Sequence, residues 1–337
     1  MKKIKVGLNG FGRIGRAFTR IAAARATFDI AVINTRKTEN KTMAYTLKYD
    51  SVYRTFDKNV QVESTGISID GVTIPTILND RPETIPWDQY AVDVVVDATG
   101  AFTKTDDLQK HIKGSVKKVL LTAPGKDDVM PHIVLGVNEG DIDMSAITVL
   151  SNASCTTNCA SPMFKVLNDN FGILSGMLTT IHAATQTQSL LDDNAKSFDR
   201  GRAAFQNIIP STSGAAKAVV KTIPALKGKI EVMSIRVPVP TGSFSDVVAL
   251  VEKSTTPDEV NAAFKKASEE SMKGILQYQT EPLVSSDYIG NPNSCVFDAN
   301  YTKVIEGHMI KAMGWYDNEW GYSNRLADLV EKISSYV

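Results

Sequence analysis

Lys3 to Arg16 reads KIKVGLNGFGRIGR. A short apolar strand runs to Asn9 and passes directly into Gly10-Phe11-Gly12-Arg13-Ile14-Gly15, a G-x-G-x-x-G pattern that opens a helical stretch, GRIGRAFTRIAAARA. Strand, glycine turn and helix in that order begin a βαβ unit, the context in which the pattern signals a dinucleotide site. Gly10 permits the tight turn, Gly12 lets backbone approach a pyrophosphate, and Gly15 lets helix and strand pack closely. The helix N-terminus offers unpaired N–H groups and the positive end of a dipole to the phosphates.

Outward from there, FDIAVIN is a second strand, and AVDVVVDATG, VKKVLLTAP, HIVLGVN and AITVLSNAS are further β-branched runs suited to a buried parallel sheet. Over about 150 residues this alternation indicates a doubly wound α/β domain. Beyond it the texture changes. TNCASPMFKVLNDNFG is helical despite Pro162 and stops near Gly172. GMLTTIHAAT, KIEVMSIRVPVP and GSFSDVVALVEK alternate apolar and polar residues, as a largely antiparallel sheet with one open face requires. TTPDEVNAAFKKASEE begins a helix with Thr256 as cap, Pro257 at its first position and Glu259 closing a capping box. GYSNRLADLVEKISSYV is an amphipathic helix. The expected division is 1–153 plus 318–337 as a Rossmann dinucleotide domain and 154–317 as an α+β catalytic domain.

The chain has 337 residues, with 37 Lys+Arg against 37 Asp+Glu. Zero net charge gives no electrostatic reason to expect nucleic acid or membrane as the main partner. Three cysteines make no disulfide framework and favour a reducing, cytoplasmic setting. The basic start lacks the apolar core of a secretory leader. Residues 144–164 are uncharged but too rich in Ser, Thr and Asn for a membrane span.

SNASCTTNCASP, Ser151 to Pro162, holds two of the cysteines. Cys155 and Cys159 are wrongly spaced for a zinc knuckle and lack a second ligand pair, so no metal is expected. Four apart on a helix, about 6 Å of rigid rod separates them, poor geometry for a disulfide. Two readings stay open: small core residues, or one nucleophile with a bystander. Cys155 falls at a strand–turn–helix elbow, where the helix dipole favours thiolate. Among four histidines, His182 ends a strand soon after that helix. His111 reads as a surface helix end, His132 as a loop residue and His308 as part of an alternating strand.

NGFGRIGR, SNASCTTNC, TTIHA, GAAKAV, RVPVP and WYDNEWGYSNR occur in this order across nearly the whole chain. Together they closely resemble phosphorylating glyceraldehyde-3-phosphate dehydrogenase. The resemblance implies that Cys155 attacks the aldehyde of glyceraldehyde 3-phosphate. His182 activates the thiol, hydride passes to NAD(P), and inorganic phosphate releases 1,3-bisphosphoglycerate from a thioacyl-enzyme. It implies phosphate-binding roles for Ser154, Thr156, Thr185, Ser213, Gly214 and Arg236. Arg13, Ile14, Thr122, Asn318 and Tyr322 become cofactor contacts beside Gly10, Gly12 and Gly15, with Asn318 on the nicotinamide amide. It also implies a cytosolic homotetramer in which the loop TQTQSLLDDNAKSFDRGRAAFQN packs near a neighbour's cofactor. Cys159 matches the family's non-catalytic cysteine.

Four places depart from the family. Thr35 stands where most members carry Asp, Asn79 to Pro82 reads NDRP so that Arg81 is displaced by one, Ser213 replaces a usual Thr, and Asp193-Asn194 stand where many NAD-specific bacterial members have Leu-Pro. At the tip of the second strand, Thr35-Arg36-Lys37 supplies no carboxylate for the ribose diol but does supply cations for a 2′-phosphate, which favours NADP over NAD. Two alternatives remain: erythrose-4-phosphate dehydrogenase, and a Rossmann protein that binds without catalysing. A pure binder would have no use for both Cys155 and His182.

Overall fold

The computed structural model describes residues 3–195 and 197–337. Met1 and Lys2, at the basic start, and Lys196, in the 185–207 loop, lie outside the described residues. The chain divides into two compact units. One comprises 1–133, 140–153 and 323–337, and the other 134–139 and 154–322. Residues 318–322 thus group with the second unit, where Thr241 and Ser243 hold Asn318.

In the first unit, β1 (Lys5–Asn9), α1 (Arg13–Arg25) and β2 (Asp29–Thr35) form the expected βαβ entry. Beyond β2 the chain forms an antiparallel meander, β3 (Val60–Glu63), β4 (Gly66–Ile69) and β5 (Val72–Leu78). The buried runs become β6 (Val94–Asp97), β7 (Lys118–Leu121) and β8 (Val149–Ser151). The sheet order is β8-β7-β6-β1-β2-β5-β4-β3, parallel as far as β5. Lys118 fits this interior because its Nζ donates to the carbonyls of Met144 and Ile147, at 2.6 and 2.7 Å.

HIVLGVN is not a strand. Only His132 bridges the sheet, opposite Ser151. The chain then turns, with Val137 and Asn138 donating back to the carbonyl of Val134 and Asn138 Oδ1 accepting from its N–H. His111 is fully buried rather than on the surface. Its Nδ1 accepts from Trp87 Nε1 at 3.0 Å, which places the ring proton on Nε2, facing Asp97 at 3.4 Å. Asp97, also buried, takes further bonds from Asn9 Nδ2 and from Thr99. A buried carboxylate is tolerated only when its lone pairs are filled in this way.

The second unit is built on α3 (Cys155–Phe171), β9 (Ile173–Ala183), β10 (Ile209–Thr212), α4 (Ala215–Thr222), β11 (Ile230–Val237) and β12 (Ser243–Val251). It continues through α5 (Pro257–Glu269), β13 (Leu276–Gln279), β14 (Cys295–Asp298), β15 (Lys303–Ile305) and β16 (Met309–Tyr316) to α6 (Trp320–Ile333), which runs on into the first unit. His308 sits in the turn before β16. The sheet order is β10-β11-β9-β12-β16-β14-β13, with β15 on β16. Pairings are antiparallel except β9–β11 and β13–β14. The predicted Thr256/Glu259 capping box starts α5. Phe264 of α5 stacks on Phe297 of β14 with ring centroids 3.8 Å apart, inside a core that includes Phe164, Leu167 and Leu178. Burying each such side chain contributes about 1.5–3 kcal/mol.

Candidate active site

The carboxyl ends of β1, β2 and β7 are the usual ligand position in open α/β sheets, and the glycine turn from β1 into α1 stands there. Gly10 adopts φ +101° and donates to Asn34 O at 2.8 Å. A Cβ on Gly15 would stand 2.3 Å from Gly10 O, so the helix can approach the turn only with glycine there. Gly12, the N-cap of α1, faces open space that a side chain would fill. The first turn of α1 carries no acidic residue to repel an anion from that space. These features fit a pyrophosphate.

Ile14 is half-buried in that turn, and Thr122 continues from β7 with its N–H on Asp97 O at 3.0 Å. The Arg13 guanidinium grips Asp50 at 2.7 and 3.3 Å and lies 5.7 Å from the Tyr53 ring. Burial would raise the Asp50 carboxyl, but Arg13 and the N–H groups of Tyr53 and Val52 hold it below its ordinary value. At the tip of β2, the Thr35 hydroxyl is turned inward, accepting from Thr38 N at 3.2 Å. Arg36 and Lys37 are exposed beside it.

The second unit gathers the chemistry. Ser154 caps α3, its Oγ accepting from Thr157 N at 3.1 Å. Ala153, immediately before it, takes the left-handed conformation at φ +53°, a strained turn for a residue with a Cβ. Cys155 therefore begins the helix, half-buried, with Sγ 3.4 Å from His182 Nε2. Cys159 and Cys295 are fully buried, and Cys159 Sγ donates to Gly314 O at 3.6 Å. Of the three thiols, Cys155 alone meets solvent.

His182 ends β9, and the parallel register with β11 sets it beside Arg236. Its Nδ1 lies 2.7 Å from Ala183 O. Ala183 O only accepts and would take a proton from Nδ1, whereas Arg236 Nη1, 2.8 Å from Nδ1 and 3.2 Å from Ala183 O, only donates and would meet a lone pair there, so the contacts at Nδ1 favour opposite tautomers. In the tautomer with its proton on Nδ1, the Nε2 lone pair faces Sγ. Burial, reinforced by the Arg236 charge, lowers His182 to about 3.

The sequence alone suggested that the helix terminus would lower the Cys155 thiol. Its net position is instead pushed up to about 11, because burial outweighs the help of Arg236 and the backbone N–H groups of Thr156 and Cys155. The resting pair is thus a neutral thiol and a neutral imidazole. Either ion alone is penalised, whereas moving one proton from Sγ to Nε2 creates two charges that stabilise each other.

Thr156 is buried, and its Oγ1 lies 3.1 Å from Tyr316 OH, which in turn meets Thr180 Oγ1 at 2.7 Å. The Tyr316 ring packs edge-on against His182. Thr185 Oγ1 pairs with Thr187 Oγ1 at 2.9 Å. Ser213 Oγ accepts from Ala215 N at 3.2 Å, and Gly214 is the exposed N-cap of α4. Arg200 joins these groups, reaching Thr187 Oγ1, Ser211 Oγ and Thr212 O. Its charge also lowers both His182 and Arg236, although burial is the larger cause in each.

Arg200, Tyr316 and Thr180 were not anticipated as site residues. Arg200 lies in the quoted 185–207 loop, but a loop arginine carries no spacing signal that separates it from solvated charge. Asn318 is 5% exposed, and its Oδ1 accepts from Ser243 Oγ at 2.9 Å and Thr241 Oγ1 at 3.2 Å. Its Nδ2 has no protein partner among the described residues, which fits the carbonyl of a ring carboxamide. Tyr322, four residues on, is buried in the first turn of α6.

A nucleotide-binding domain joined to a second domain bearing a thiol, an imidazole and two guanidinium groups defines the class: an oxidoreductase that uses a nicotinamide dinucleotide. Residues 4–105 match the model of the glyceraldehyde 3-phosphate dehydrogenase NAD binding domain, and residues 154–318 match that of the C-terminal domain. The chain is 51% identical to glyceraldehyde-3-phosphate dehydrogenase 2 of Streptomyces avermitilis, with 99% of each chain covered. It is 49% identical to the Streptomyces coelicolor enzyme over 99% of each chain, and 47% identical to the Geobacillus stearothermophilus enzyme over 98% of each. The chain belongs to the glyceraldehyde 3-phosphate dehydrogenase family and has that family's dehydrogenase activity.

Proposed function

We propose that the protein oxidises and phosphorylates glyceraldehyde 3-phosphate to 1,3-bisphosphoglycerate, with Cys155 as nucleophile and His182 as base. The observation that carries this reading is the 3.4 Å approach of Sγ to His182 Nε2, beside Arg236. As Sγ attacks the aldehyde carbon, its proton passes to Nε2 and on to the new alkoxide oxygen, so that a hemithioacetal forms on Cys155 and His182 is neutral again. His182 then takes the hemithioacetal hydroxyl proton. The nicotinamide, when bound, accepts the hydride from that carbon. A thioacyl group remains on Cys155. A phosphate oxygen attacks its carbonyl, the C–S bond breaks, and an acyl phosphate leaves. Arg236 and Arg200 supply fixed positive charge for the two anionic groups, while Ser154, Thr156, Thr185, Ser213 and the Gly214 backbone supply neutral donors.

Residues 1–153 plus 318–337 act as the dinucleotide domain, and 154–317 as the catalytic domain. For the cofactor, the tip of β2 favours NADP. The Thr35 hydroxyl is occupied by Thr38, and Arg36 is an exposed fork of donors for a 2′-phosphate. Each charge-assisted bond contributes about 1.5–3 kcal/mol, or tenfold or more in affinity. The protein works in the cytoplasm as a homotetramer. In support of assembly, the outer face of the second sheet exposes Met177, Met233, Val248, Leu250 and Met309, an apolar surface that a second copy would cover.

Steady-state kinetics with phosphate, either aldehyde and either cofactor test the reading. The highest kcat/KM is expected with glyceraldehyde 3-phosphate and NADP, and Thr35→Asp combined with Arg36→Leu should reverse the cofactor order. A higher kcat/KM for erythrose 4-phosphate would refute the substrate assignment. A wild-type preference for NAD would leave Arg36 as a solvated charge.

A further inference from the structure

Ser243 and Thr241 carry no role in the scheme above, yet both are buried against Asn318. Antiparallel pairing sets Ser243 opposite Tyr316, so the start of β12 and the residues that follow β16 run side by side. Ser243 Oγ accepts the N–H of Ala183 at 3.0 Å. A hydroxyl has one hydrogen, and here it goes to Asn318 Oδ1 at 2.9 Å. The Thr241 hydroxyl lies 3.1 Å from Asp317 Oδ1 and 3.2 Å from Asn318 Oδ1. Asp317 Oδ1 already accepts from Glu319 N and Trp320 N at 2.9 and 2.8 Å. Both hydroxyls therefore converge on the oxygen side of the Asn318 amide.

Turning that amide over would set Nδ2 against Ser243 Oγ. The serine oxygen, already holding the Ala183 N–H, could accept it, but the serine hydrogen would then be buried without an acceptor. Leaving a buried donor unmade is the costly case. The oxygen is thereby pinned inward, and Nδ2, the atom without a protein partner, is presented outward as a donor with no acceptor beside it.

We infer that Ser243, assisted by Thr241, is a positioning residue that locks the Asn318 amide with its NH2 group outward, so that the cofactor ring is held through its carboxamide oxygen rather than its amino group. This rests on the reading that Asn318 meets the nicotinamide. A donor so fixed tolerates loss of the ligand's amino group and penalises loss of its carbonyl.

Titration calorimetry on the full-length protein tests the lock through binding alone, with three dinucleotides carrying nicotinamide, 3-acetylpyridine or unsubstituted pyridine. For the wild type, the first two should bind within about threefold of each other and the third roughly tenfold more weakly, the worth of one hydrogen bond. Ser243→Ala should weaken the nicotinamide form several-fold and leave the pyridine form unchanged. Thr241→Val, nearly isosteric and not bonded to Ala183, should do the same to a smaller degree, which guards against misfolding of the first variant. If both variants weaken all three ligands equally, or if the acetylpyridine form binds as weakly as the pyridine form, the lock is overturned. Asn318→Ala is the separate control. If it fails to erase the preference for nicotinamide over pyridine, the placement of Asn318 at the ring falls, and the lock with it. If it erases the preference while Ser243→Ala and Thr241→Val do not, only the lock falls.

Discussion

Replacing His182 by Asn keeps a polar side chain of similar bulk and removes the imidazole nitrogen 3.4 Å from Cys155 Sγ. With the thiol held up to about 11, only roughly three molecules in 10⁴ would carry thiolate at pH 7.5 without a base. The variant should therefore lose on the order of 10³ in acylation rate, inside the 10²–10⁴ range usual for general-base help. Iodoacetamide alkylation of Cys155, followed by stopped-flow or by mass, isolates this step from cofactor binding. The wild-type rate should vary little across neutral pH, because the proton moves within the pair. The variant rate should be about a thousandfold lower at pH 7.5 and climb about tenfold per pH unit towards the thiol's own value. A wild-type rate with that same climb, or a variant as fast as wild type at neutral pH, would refute the pairing and leave His182 a packed core histidine.

Cys155→Ser should abolish turnover while leaving cofactor affinity within about twofold, because an alcohol is a far weaker nucleophile at neutral pH. Cys159→Ser should retain most activity and instead lower the melting temperature, since it places a hydroxyl among buried sulfur and aromatic groups. Calorimetry beside steady-state rates separates the two effects, and the reverse ranking would contradict the assignment. Stability should also carry both titrations. His182 is depressed to about 3 from an ordinary 6.5, so its contribution is present above pH 6.5 and lost as pH falls towards 3. Cys155 is raised to about 11 from 9.0, so its contribution is present below pH 9 and lost as pH rises towards 11. Each flank should approach a slope of about 1.4 kcal/mol per pH unit, and His182→Asn should flatten the acid one; an unchanged acid flank in chemical-denaturation titrations would show that His182 is not held neutral.

The elements that declared themselves in the sequence were those fixed by local chemistry. Gly10 and Gly15 marked a turn that steric contact restricts to glycine, and Thr256 with Glu259 marked a cap. The elbow at Cys155 followed from strand and helix patterns on either side. What stayed hidden depended on partners distant in the chain. HIVLGVN has strand composition, but the Asn138 side chain draws the Val134 N–H into a turn. His111 is polar and so read as exposed, whereas Trp87 and Asp97 satisfy both ring nitrogens inside the core. The thiol's position was misjudged because a helix terminus can be recognised in sequence and burial cannot. The adjacency of His182 and Arg236 depends on a parallel pairing within a mostly antiparallel sheet, which alternation alone does not reveal.

Covalent catalysis at Cys155 is the claim on which the rest depends. Enzyme mixed with cofactor and glyceraldehyde 3-phosphate, with phosphate withheld, should give one burst of reduced cofactor per active site. Acid quench and peptide mass spectrometry should then find the 3-phosphoglyceroyl group on the Cys155 peptide, and added phosphate should discharge it as an acyl phosphate. A full burst with Cys155 unmodified, or with the acyl group on another residue, would contradict the account.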